Sequence, residues 1–119
     1  MYEEAQLVVK RFVRAMDAAE ANIVGLMARE REALRSGNTN TARTIHTRLG
    51  KAAKVYLATI CSARSTLAAM NDLFSDTEVS EFLEQRRMTF ANLMRIEMAA
   101  LTAARLLANE NSQVAGRVA

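Results

Sequence analysis

Proline and tryptophan are missing from this chain of 119 residues, and cysteine and histidine occur once each. Without proline, no position is barred by its own ring from a helix interior. Four Phe and two Tyr are the only aromatics. The apolar half of the composition is therefore mostly Ala, Leu, Met, Val and Ile, which suits close-packed helices better than a sheet. A single cysteine, Cys61, rules out an internal disulfide and offers no metal cluster. Uncharged runs are too short to span a bilayer, so no membrane insertion is expected. The opening MYEEAQLVVKR is acidic and lacks a small-residue cleavage site, unlike a secretory signal. These features together lead us to expect a cytoplasmic protein.

Catalytic chemistry is thin as well. His46 has no partner motif, and the pattern Glu-x-x-His of carboxylate metal bundles does not occur. There is no glycine-rich phosphate loop, paired-cysteine motif or calcium loop. Cys61 follows Ile60 and reads as a small apolar residue. We expect no enzyme activity and no cofactor. Glu30 and Glu97 fall among apolar positions, where each is expected to pair with an Arg or Lys from another helix or to sit at an exposed margin.

Charge is one-signed in a single segment. Residues 1–37 carry six basic and six acidic groups, and 71–119 carry five and seven. Residues 38–70 hold Arg43, Arg48, Lys51, Lys54 and Arg64 with no acid. A cationic helix lying beside acidic neighbours explains this; an electropositive strip for an acidic partner is the sharper reading. Nucleic acid is a third reading for the same segment, weakened by its lack of aromatics and of a short recognition helix.

Apolar spacing predicts three helices, at about 3–35, 41–71 and 76–109, with a flexible tail over 110–119. The first has a seam of Phe12, Met16, Ala19, Ile23, Leu26, Glu30 and Ala33, with alternating steps of four and three. The second has Ala42, Ile45, Leu49, Ala52, Tyr56, Ile60, Ala63, Leu67 and Met70. Between them, SGNTN provides a left-handed cap at Gly37 and an N-cap among Asn38, Thr39 and Asn40. So short a link makes the two helices antiparallel neighbours. Ser75 and Glu78 fit a capping box for the third helix, with Phe74 and Val79 as its staple. The expected fold is all-α, one domain over 1–119: a long antiparallel hairpin plus a third helix in a coiled-coil-like bundle.

The third helix carries more apolar positions than one seam uses. Phe90, Leu93, Met94, Ile96, Ala100, Leu101, Ala104 and Leu107 are the candidate protein-binding residues. Methionines at 16, 27, 70, 88, 94 and 98 serve either as adaptable core filler or as a surface that accepts different helices.

The stretch from Ala19 to Leu67 then resembles flagellar export chaperones of the FlgN type, and the likeness covers most of residues 18–107. The likeness rests on Leu26, Glu30, Ala33, Leu34, Gly37, Asn38, Ile45, Lys51, Leu57, Arg64 and Leu67, with FANLMRIE (Phe90–Glu97) similar to the start of the family's client-binding helix. The chain is short for that family and richer in alanine. The resemblance implies a cofactor-free carrier of helical or unfolded C-terminal segments from hook–filament junction proteins. The client would be such a secreted hook-associated protein, handed on to the export machinery. The alternative is a homodimeric structural or adaptor bundle, in which the stripe of the third helix closes a self-interface.

Overall fold

Gly37 decides where the chain reverses. The computed structural model describes residues 2–118, with side-chain surroundings for 3–111. Helix α1 runs Tyr2–Arg35, α2 Thr39–Ala69 and α3 Asp76–Val118. Gly37 takes φ of 74°, the left-handed conformation that costs other residues a Cβ clash. Its N–H donates to the Leu34 carbonyl at 3.2 Å, and the Asn38 N–H donates to the Ala33 carbonyl at 2.9 Å. This pair of bonds closes a Schellman motif and satisfies the carbonyls at the end of α1. Asn38 then caps α2, its side-chain oxygen accepting from the Thr41 N–H at 3.2 Å. Three residues, Ser36, Gly37 and Asn38, thus end one helix and start the next.

The capping box at α3 forms as the sequence predicts. The Glu78 N–H donates to Ser75 Oγ at 3.1 Å, and the Ser75 N–H donates to Glu78 Oε1 at 3.2 Å. Val79 is buried, and Phe74 packs at the margin of the core. The helix continues past residue 109, where its apolar period fades, as far as Val118. No proline occurs there and no glycine precedes Gly116, so nothing in the sequence stops the backbone pattern. Of the expected tail, only Ala119 lies outside the described residues.

The fold is an all-α bundle of three helices, 68 Å long and 20 by 16 Å across. A helix of 43 residues spans about 65 Å at ~1.5 Å per residue, so α3 sets the length of the molecule. The two seams of the hairpin face each other. Met16, Ile23, Leu26 and Met27 meet Ile45, Tyr56, Ile60, Ala63 and Leu67 in one core. Helix α3 adds Val79, Leu83, Phe90 and Leu101 to it. It lies mainly on α1 and touches α2 more sparsely. The Phe90 ring tilts against Tyr56, with centroids 4.8 Å apart, and this is where α2 and α3 come close. Between this contact and the approach of Arg105 to His46 near the turn, the two helices leave a furrow.

A polar-clasped groove between the second and third helices

Position along α3 decides what each side chain meets. Residues 83, 86, 90, 94, 97, 101 and 105 recur at steps of three and four, so they share one face. Leu83, Phe90 and Leu101 are buried there. Between them the same face carries three charged residues: Arg86, Glu97 and Arg105. Helix α3 is therefore held to the hairpin by apolar contacts alternating with ion pairs.

The first clasp sits midway along α1. Arg86 donates from Nε to Glu20 Oε2 at 3.1 Å and from Nη2 to Glu20 Oε1 at 2.8 Å, and it also pairs with Asp17. The Tyr56 hydroxyl donates to Glu20 Oε2 at 3.1 Å, so one carboxylate joins all three helices. Hydrogen bonds to Glu20 outweigh burial and raise the Arg86 pKa. Burial and the adjoining Glu20 charge push the Tyr56 phenol up to about 12. Farther along, Arg31 Nη2 lies 3.1 Å from Glu97 Oε1. That approach is not aligned as a hydrogen bond, and Oε1 is left buried without one.

The second clasp is at the turn end. Arg105 donates from Nε to Glu30 Oε2 at 2.7 Å and from Nη2 to Glu30 Oε1 at 2.9 Å. The same Nη2 lies 3.0 Å from His46 Nδ1. His46 Nδ1 also lies 3.4 Å from Glu30 Oε1, so the imidazole stands between the carboxylate and the guanidinium. Glu30 is 2 % exposed. Burial alone would raise its pKa, but the Arg105 hydrogen bonds and charge, with His46, win and hold it below the usual value. The sequence expectation that Glu30 pairs with a cation from another helix is met by Arg105.

Beyond the Tyr56–Phe90 contact, α2 and α3 frame an apolar cavity of about 350 Å³. Its floor is Ile23 and Met27 of α1 with Phe90. Leu49, Ala53 and Leu57 form the α2 wall, and Ala91, Met94 and Met98 the α3 wall. A shallower hollow of about 730 Å³, lined by α3 side chains alone from Ala91 to Leu106, adjoins this groove through the shared Ala91, Met94 and Met98. Gly50 lies one residue after Leu49 and exposed. A Cβ built there meets nothing within 4 Å, so it serves no close contact inside the bundle.

The candidate residues from the sequence do not form one surface. Leu101 is fully buried and Phe90 is 3 % exposed, so neither presents a docking face, although Phe90 contributes to the groove floor. The sequence reading of these two as surface is corrected by their register: Phe90 lies seven residues after Leu83 and Leu101 eleven after Phe90, close to two and three whole turns, so all three share the seam. Met94 alone lines the groove wall. Leu93 and Ile96 are 67 % and 80 % exposed but turn toward the opposite side of α3, where Leu93 overlooks Ala21 and Val24 of α1. Leu107 is exposed on that side too, and Ala100 and Ala104 are half-buried. Successive helical residues point about 100° apart at 3.6 residues per turn, which is why Leu93 and Met94 separate. The α2 wall and Met98 were missed as groove residues. Their signal was the off-seam pair Ala53 and Leu57, spaced by four on the acid-free helix.

Among the described residues, no cluster of three His, Cys, Asp or Glu side chains is placed to hold a metal ion. No helix there is long and apolar enough to cross a membrane. Comparison with protein-family models, curated proteins and solved structures returns no match.

Proposed function

We propose that this chain is a cytoplasmic, non-enzymatic carrier that shelters an apolar helical segment of a partner protein in the groove between α2 and α3. The observation that carries this reading is the groove itself: an open apolar furrow, walled by Met94, Met98 and Leu57, in a single subunit. Leu57 and Met98 are 59 % and 42 % exposed, and apolar side chains gathered in a furrow are more often a docking site than scattered surface residues are. Methionine side chains adapt to differing shapes, which suits a segment that arrives unfolded and leaves again. Covering one such side chain fully stabilises the complex by about 1.5–3 kcal/mol. The resemblance to FlgN-type chaperones supports a more definite assignment: a flagellar type III export chaperone whose client is the C-terminal segment of a hook–filament junction protein, delivered to the export machinery.

The test is binding of such C-terminal segments to the purified chain, by calorimetry, with Met98→Asp as the altered site. We expect binding with a negative heat-capacity change, lost in Met98→Asp while the helical circular dichroism stays intact. Unchanged affinity in that variant would remove the groove from the account. A second reading is favoured by Leu93, Ile96 and Leu107, whose exposure on the far side of α3 suits a self-interface. Light scattering over a wide concentration range decides it: a monomer throughout contradicts the homodimer.

A further inference from the structure

The walls of the groove carry charge of one sign. Residues 38–70, which contain the α2 wall, have no carboxylate. Residues 87–104, which contain the α3 wall, have one, Glu97, and it is turned to α1 beside Arg31. The cations are placed otherwise. Arg87 borders the apolar cavity and Arg95 the hollow that adjoins it. Arg87 has an acidic neighbour, Glu84, but at 3.9 Å and with both side chains more than half exposed. That pair contributes little. On α2, Lys54 lies three residues before Leu57, on the same side of the helix, and is exposed. The apolar floor thus has exposed cations on both sides: Arg87 and Arg95 meet only neighbours on their own helix, Glu84 and Asn92, whereas Arg86 and Arg105 are fully engaged in their clasps.

We infer that the groove selects an amphipathic helix with acidic residues on both flanks of its apolar stripe. This inference rests on the carrier reading and names the chemistry of the occupant. The physical reason is complementarity. Carboxylates flanking the stripe meet Lys54 on one margin and Arg87 and Arg95 on the other, while a basic helix meets like charge on both sides. Such an arrangement speeds encounter and rejects wrong partners more than it adds raw affinity. Small residues along the walls, Ala53 and Ala91 with Gly50 nearby, leave room for a helix backbone to approach. Between Arg87 and Met98 the groove runs for about 16 Å at ~1.5 Å per residue, room for roughly three turns of a helix. A nucleic acid would use the cations but leave the apolar floor unfilled.

The experiment uses three fluorescent synthetic peptides of about 20 residues. They share one stripe of Leu and Met and carry Glu, Gln or Lys at every flanking position. Anisotropy against the full chain at low salt should rank them Glu, Gln, Lys, with about tenfold or more between the first and last. In ~1 M salt, where the Debye length is about 3 Å, the three should converge. The double variant Lys54→Glu, Arg87→Glu, both exposed positions, should reverse the order. Equal affinity of the Glu and Lys peptides at low salt overturns the inference. If those equal affinities are also lost in Met98→Asp, the carrier reading survives without it. Failure of all three peptides to bind overturns both. So does concentration-dependent doubling of the mass that shuts out the Glu peptide, which would make a second copy the occupant. A single-stranded oligonucleotide that displaces the Glu peptide, and binds Met98→Asp as well as the unaltered chain, also overturns the inference.

Discussion

Glu30 shows how one side chain couples the sequence to the bundle. It occupies a seam position where an apolar residue would be ordinary, and it is tolerated because Arg105 reaches it with two hydrogen bonds and His46 stands beside it. Its folded pKa lies below the ordinary value. The native state therefore holds fewer protons at this site than the unfolded chain, and stability rises with pH through this range. The contribution is full above the unfolded carboxyl pKa of about 4.3 and is lost as the pH falls through the depressed folded value. Urea midpoints should drop from pH 6 into the acid range more steeply for the unaltered chain than for Glu30→Gln. Parallel pH profiles would show that the pair contributes no titrating stability. Removing the cation is the harsher change. Arg105→Ala strands a buried carboxylate and should cost about 3 kcal/mol at neutral pH, the low end for such a loss because the guanidinium is one-third exposed.

At the scale of the element, the local signals in the sequence were strong enough to read. Gly37, Asn38, Ser75 and Glu78 act through bonds to residues five or fewer positions away, so their chemistry is visible in a short window. The hairpin seams were legible for a similar reason: Met16, Ile23, Ile45, Ile60 and Leu67 repeat with the helical period and are all buried. Gly37→Ala should destabilise by about 1–2 kcal/mol, since φ of 74° now meets a Cβ. Thermal unfolding with the helical signal as readout measures this, and an unchanged midpoint would mean the turn relaxes. The third helix was harder to read. Its seam mixes Leu83, Phe90 and Leu101 with Arg86, Glu97 and Arg105, and charged residues read by type as solvent-facing. Only the step of three and four from Leu83 to Arg105 reveals that they share a face. Taking the apolar residues alone placed Leu101 outside and overlooked Arg86.

For the whole molecule, the division of labour among helices follows from that mixed seam. Helices α1 and α2 join through a continuous apolar interface, while α3 is pinned to α1 at Arg86, Glu97 and Arg105 and meets α2 closely at the Tyr56–Phe90 contact. Pinning on one side leaves the other side of α3 apart from α2, and the groove is the result. Its location was not legible beforehand because it depends on the tilt of two helices distant in sequence. The excess of apolar residues on α3 was legible, but it divides between the groove and the opposite face.

The most direct test is methyl NMR of the chain labelled at methionine, titrated with a client C-terminal segment or the acid-flanked peptide. Met94 and Met98 line the groove walls and Met27 its floor, whereas Met16 is buried away from it among the helices. The account predicts large shifts at Met94 and Met98, a smaller one at Met27 and none at Met16. Saturation by the peptide with the Met94 and Met98 signals unmoved would contradict it.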